Sequence, residues 1–145
     1  MLPVFAGTVV KEHPDDYMVV SIGPGYAEEA RRRLSRLQPF SSVTYDHSEV
    51  SVVLRSSEWA NLKHHFPGAM VEGPYRIITF DIVLDLSLVG FLSVVSGLLA
   101  ENGVSIYALS TYLRDHILVR KGDAPKAVEL LNGLVERSRK ILENG

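Results

Sequence analysis

The order of apolar and polar positions divides the chain into two similar runs of strands and helices. Residues 3–11 alternate weakly, with Val4, Ala6, Thr8 and Val10 on one side, which predicts a short strand closed by His13-Pro14-Asp15-Asp16. Residues 17–22 predict a second strand, Gly23-Pro24-Gly25 breaks it, and good helix formers at 27–37 predict a helix. β-Branched and aromatic runs at 40–45 and 50–55, joined by a polar turn, predict a hairpin. Trp59, Leu62 and Phe66 then predict a short helix stopped by Pro67-Gly68, and 70–72 a brief strand before a turn at Gly73-Pro74.

The second half repeats this order. Residues 75–84 predict a long strand with Ile78, Phe80, Ile82 and Leu84 on one face, and Ser87 is a candidate cap for a helix over 88–102. Leu88, Val95, Leu98 and Leu99 give that helix an apolar face, and Gly90, Ser93 and Gly97 form a second stripe of small residues. A glycine inside a helix costs roughly 1 kcal/mol against alanine, so close packing or a ligand is expected beside the stripe. Asn102-Gly103 ends the helix, 104–112 predicts a strand buried on both faces, and 116–120 predicts the returning strand. Gly122-Asp123-Ala124-Pro125 opens a last helix with Ala127, Val128, Leu131, Leu134 and Val135 inward and a candidate break at Asn132-Gly133.

The two hairpins hold the same place in units that start roughly 65 residues apart, which is the signature of an internal repeat. The expected organisation is α+β: two tandem ferredoxin-like βαββαβ domains, 1–74 and 75–145, each an antiparallel sheet with helices on one face. The first has an extra strand in front and the second lacks its last. Residues 3–11 are therefore expected to complete the second sheet.

Composition narrows the function. With 145 residues, 46% hydrophobic content, a net charge of −2 and a pI near 6.2, the chain has no basic excess to attract nucleic acid or anionic lipid. It has no cysteine, hence no disulfide, thiolate metal site or thiol nucleophile. The most apolar window, 77–100, is interrupted by Asp81 and Asp85, so a buried strand and helix are expected there and not a membrane span. Without a leader-like N-terminus, a cytoplasmic location is expected. The run Arg31-Arg32-Arg33 is preceded by Glu28 and Glu29 at i,i+4 spacing and reads as a solvated helix face.

No catalytic constellation assembles. His13, His47, His64, His65 and His116 have no partner at metal-binding spacing, and Gly23-Pro24-Gly25 lacks the Lys-Ser/Thr of a phosphate loop, so neither a metal nor a cofactor is expected. Asp81 and Asp85 share one strand face, as a carboxylate pair or as a helix cap and a sheet-edge residue. A non-enzyme is the expectation.

The strings Asp85-Leu86-Ser87-Leu88-Val89-Gly90, Leu99-Ala100-Glu101-Asn102-Gly103-Val104-Ser105-Ile106-Tyr107, Ser110-Thr111-Tyr112 and Asp115-His116-Ile117-Leu118-Val119 resemble the tandem ACT-domain family. That family includes small bacterial and archaeal proteins similar to the regulatory tail of aspartate kinases and to arginine sensors of the CASTOR type. The resemblance is strong over 75–131 and weaker over 16–74. It implies an amino-acid-binding regulatory protein whose ligand lies between two ACT units, in a homodimer read by a partner protein. Carried across, Gly90 lets the helix N-terminus approach a carboxylate, and Ser105 and Ile106 offer strand backbone. Thr111, Tyr112 and Asp115 line the other side, with Asp115 facing an ammonium or guanidinium group. Two departures stand out: Ile82-Val83 replaces a common Gly-Pro before Leu84-Asp85, and Arg114 sits beside Asp115. The alternative from another class is a structural interaction module without a small ligand.

Overall fold

The computed structural model describes all residues, Met1–Gly145. In chain order the elements are α1 (Leu2–Ala6), β1 (Val9–Glu12), β2 (Tyr17–Ile22), α2 (Ala27–Arg33), β3 (Ser42–Tyr45), β4 (Val50–Arg55), α3 (Ser56–Leu62), β5 (Met70–Asp81), α4 (Phe91–Glu101), β6 (Tyr107–Ser110), β7 (Asp115–Arg120) and α5 (Ala124–Asn144). Short 3-10 turns precede α2 and α5 and follow α3. The chain forms two compact units, one of Met1–Pro14 with Arg76–Gly145 and the other of Asp15–Tyr75. They are not contiguous halves: the first fourteen residues belong with the C-terminal stretch.

In the unit Asp15–Tyr75, β2 lies between β4 and the first part of β5, and β3 pairs the far side of β4, all antiparallel. Val20 and Ile22 of β2 and Val50, Val52 and Leu54 of β4 alternate toward Ala30, Leu34, Trp59 and Phe66, which bury the same face. Glu29 pairs with Arg32 and Arg33, and Arg31 lies over the Tyr45 ring, so the arginine run is a partnered, exposed helix face.

In the other unit the strand order is β1-β5-β7-β6. β1 pairs antiparallel with the second part of β5, from Val9↔Asp81 to Glu12↔Ile78, and supplies the strand that the C-terminal run lacks. Ile78, Phe80, Ile117 and Val119 face a core completed by Phe5 of α1, Phe91, Val95 and Leu99 of α4, and Ala127 and Leu131 of α5. This is the ferredoxin-like arrangement of an antiparallel sheet covered on one face by helices.

Five expectations are corrected. Residues 3–11 are not one strand: Pro3 fits the first turn of a helix, Phe5 is drawn into the core, and β1 starts only at Val9. Gly73-Pro74 does not end the strand; β5 continues through it irregularly, with Gly73 at φ +140 where a Cβ would sit 2.8 Å from Met18 Sδ and 3.0 Å from the Tyr17 carbonyl oxygen. The register between β2 and β5 shifts here, with Tyr17 opposite Tyr75 and Val19 opposite Glu72, so β5 holds the extra residue. β6 covers only Tyr107–Ser110 and alternates in exposure, because it is an edge strand paired with β7 alone. Helix α4 begins at Phe91 and not Leu88, because Gly90 adopts φ +93, outside the right-handed helix. The last helix is unbroken through Asn132-Gly133.

Candidate functional site

The loop from Leu84 to Gly90 and the β6–β7 turn together line a cleft of about 290 Å³. The loop is held from within and from outside. Asp85 Oδ1 accepts hydrogen bonds from Ser87 N at 2.8 Å and Ser87 Oγ at 2.5 Å, which hold its carboxyl below the usual carboxylate range. Ser87 is thus spent on Asp85 and does not cap α4. Leu84 N donates to Leu113 O at 2.8 Å and ties the loop to the turn.

Gly90 closes the loop and opens the helix. No side chain caps α4, so its first amide groups retain the donor character of a helix N-terminus at the edge of the cleft. Phe91, in contrast, is buried, stacked on Phe5 at 4.8 Å and edge-on to Phe80 at 5.4 Å, which anchors this end of the helix. The tight packing expected along Gly90, Ser93 and Gly97 is absent. A Cβ at Gly90 would meet only Met1 Cε at 3.8 Å, and one at Gly97 nothing within 4 Å.

The opposite wall is the turn. Thr111 N and Oγ1 both donate to Arg114 O, at 2.9 and 3.0 Å, and Ser110 Oγ donates to Asp115 Oδ1 at 2.6 Å. Arg114 does not neutralise Asp115. Its Nε donates instead to Asp81 Oδ1 at 2.9 Å, and Lys11 Nζ lies 2.7 Å from the other Asp81 oxygen. The hydrogen bonds from Lys11 and Arg114 hold the Asp81 carboxyl below its ordinary range. Asp81 and Asp85 are therefore not a carboxylate pair; each is committed to partners of its own.

Of the residues singled out in the sequence, Gly90, Thr111, Tyr112 and Asp115 line this cleft and Ser105 and Ile106 do not. Ser105 is exposed before β6, and Ile106 packs against the core of its unit. Sequence reading missed Ser110 and Arg114 as lining residues, though both flank residues it chose. It also missed the exposed apolar rim: Leu86 is 70% exposed, Val89 86% and Tyr112 76%. The signal lies in Leu86-Ser87-Leu88-Val89, where apolar residues gather ahead of the helix that begins at Phe91.

No group of three or more His, Asp or Glu side chains is arranged to hold a metal ion, and no helix is long and apolar enough to cross a membrane.

Residues 70–133 match the family model described as ACT domain. No curated protein matches the chain in sequence. Among solved structures, a Vibrio cholerae protein of unknown function, described as a possible transport protein, is 21% identical with a TM-score of 0.70, over 90% of this chain and 92% of that one. An Agrobacterium tumefaciens protein is 24% identical with a TM-score of 0.69, over 88% and 89%. The regulatory subunit of aspartate kinase from Thermus flavus is 12% identical with a TM-score of 0.64, over 86% and 95%. At these identities the structural likeness establishes the fold, a mixed α/β ferredoxin-like fold of ACT type.

Proposed function

We propose that this chain is a non-catalytic, cytoplasmic regulatory protein built of two tandem ACT-type units, 1–74 and 75–145 apart from the exchanged first strand, that binds an amino acid. The observation that carries the reading is the pairing of chemistries in one cleft. An uncapped helix N-terminus, suited to a carboxylate, shares it with Asp115 and two hydroxyls, suited to an ammonium or guanidinium group. An amino acid carries both groups.

The exposed rim of Leu86, Val89, Tyr112 and Leu113 supports closure of the cleft by a second copy of the chain, since apolar surface grouped around a polar opening gains by being covered. In a homodimer of this kind the ligand favours one geometry, and a protein partner reads it. Strand backbone near Ser105 and Ile106 then serves a neighbouring unit's ligand and not the local cleft. The same rim favours the second reading, an interaction module that assembles without a ligand.

Thermal shift against the twenty amino acids separates the two. A ligand at 100 times its dissociation constant adds about 2.7 kcal/mol of stability. The sensor reading expects one or a few amino acids to raise the midpoint, and Asp115→Ala to abolish that rise while leaving the unliganded midpoint close to wild type. If the midpoint is indifferent to every amino acid, the interaction module stands in its place.

A further inference from the structure

The turn wall of the cleft carries two neighbours of opposite charge that do not pair with each other. Arg114 and Asp115 are consecutive and both line the cleft. Arg114 Nε nevertheless donates to Asp81 Oδ1 at 2.9 Å, and Lys11 Nζ lies 2.7 Å from Asp81 Oδ2. Asp115 Oδ1 accepts from Ser110 Oγ at 2.6 Å, and no ion pair reaches its carboxylate. A carboxylate that accepts one hydroxyl proton keeps most of its lone pairs for further donors.

Strand alternation sets the two carboxylates apart. On β5, Phe80 faces the core and Asp81 the opposite side; on β7, Ile117 faces the core and Asp115 lies on that same side. A guanidinium drawn to Asp81 is therefore drawn away from Asp115. The Arg114 and Asp81 side chains are 33% and 31% exposed, so water screens this pair less than one on an open surface. Hydrogen bonds from Lys11 and then Arg114 hold the Asp81 carboxyl below its ordinary range, which keeps it ionised at neutral pH.

We infer that Asp81, which does not line the cleft, is a positioning residue for it: by holding Arg114 it leaves Asp115 without a cation and open to the ammonium group of an amino acid. This deepens the amino-acid-sensor reading and rests on it. Without the Asp81 carboxylate, Lys11 and Arg114 face each other with no anion between them, and like charges repel. Arg114 then turns to the carboxylate of the next residue, Asp115, and takes the place of the ammonium group. Cation binding at the turn thus depends on a side chain from the other face of the sheet.

The remaining charged groups nearby have partners of their own. Asp85 Oδ1 is held by Ser87 within its loop, and Glu12 pairs with Arg76. Burial first, then the nearness of His13 and Arg114, hold His116 below the ordinary imidazole range, so this ring brings no charge to Asp115 at neutral pH. Arg114 is the cation whose choice of partner decides whether Asp115 is occupied.

A double-substitution cycle tests this, with a ligand-free arm beside it. In the unliganded protein, proton–proton NMR contacts of the Arg114 Nε–H are expected with the Asp81 β-protons in wild type, and with those of Ser110 and Asp115 in Asp81→Ala. Calorimetry with each of the twenty amino acids on the wild-type chain identifies those that bind, and these are carried to the variants. Asp81→Ala is expected to weaken them roughly tenfold or more, the worth of one charge-assisted hydrogen bond. Arg114→Gln alone should keep wild-type affinity, and Asp81→Ala combined with Arg114→Gln should regain it. A fold defect caused at position 81 is not repaired by a second substitution, so the recovery separates positioning from a structural role. Wild-type affinity in Asp81→Ala, a loss that Arg114→Gln does not repair, or an Arg114 that stays away from Asp115 in unliganded Asp81→Ala overturns this inference and leaves the sensor reading in place. Absence of binding by all twenty amino acids to the wild-type chain removes the sensor reading and this inference with it.

Discussion

Replacing Phe5 by alanine removes a ring that is 3% exposed, stacked on Phe91 at 4.8 Å, and set in the same core as Phe80, Val95 and Leu131. Burial of such a side chain is worth about 1.5–3 kcal/mol by transfer. The stacked pair adds about 0.5–1.5 kcal/mol. The cavity left behind brings Phe→Ala substitutions in cores to about 3–5 kcal/mol. Because α1 is only five residues long and can shift to fill part of the space, the lower end, about 3 kcal/mol, is expected here. The only tryptophan, Trp59, lies in the core of the other compact unit, so two probes distinguish the units. Urea unfolding should show the loss in circular dichroism, and hydrogen exchange should speed up in α4, whose Phe91 stacks on Phe5, and in α5, which packs against α1. Trp59 fluorescence should report a smaller change. A loss below about 1 kcal/mol, with exchange in α4 and α5 unaltered, would refute the docking of the N-terminal segment on the C-terminal core.

Gly90→Ala places a side chain at φ +93 with only an ordinary contact to Met1, so its cost is conformational, about 1–2 kcal/mol in a denaturant melt; a smaller cost would mean that the loop rearranges freely. Asp81, whose carboxyl is held below its ordinary value of 3.8, contributes stability that is fully present above that value and lost as pH falls through the lowered one. Asp81→Asn should therefore flatten the acid limb of midpoint against pH, and an unchanged limb would show that Lys11 and Arg114 do not stabilise the carboxylate. His116, held below its ordinary value of 6.5, acts in the same direction over a higher window: stability is greatest above 6.5 and declines below it as the unfolded chain takes up the proton. His116→Gln should remove that decline between about pH 6.5 and about pH 5, and a wild-type profile in the variant would contradict it.

Much of the fold was legible because it rests on local patterns. The alternation of Val50, Val52 and Leu54, and the helical spacing of Ala127, Leu131 and Val135, each place one side of an element in a core whatever lies opposite. The candidate site was legible through the resemblance, from which all six residues followed. Gly90, Thr111, Tyr112 and Asp115 line the cleft, and Ser105 and Ile106 do not.

The errors share a cause, which is competition between a weak local signal and a distant partner. Residues 3–11 alternate enough to suggest a strand, but Phe5 gains more by stacking on Phe91, far along the chain, and the segment folds as a helix before β1 begins. Gly73-Pro74 has the chemistry of a turn, yet pairing with β2 carries β5 through it. Repeat logic anticipated that the first strand completes the second sheet, since each unit needs a fourth strand to cover its edge.

By itself, then, the sequence determined the alternating order of strands and helices, the near-neutral charge and the absence of cysteine. These depend on neighbours within a few positions. Tertiary structure alone decided that Arg114 turns to Asp81 and leaves Asp115 to Ser110, and that His13, Thr79, His116 and Thr111 lie within hydrogen-bond distance of one another in series. Those residues are brought together from β1, β5 and β7 by strand pairing, and no periodicity along the chain records which side chains of separate strands will face one another.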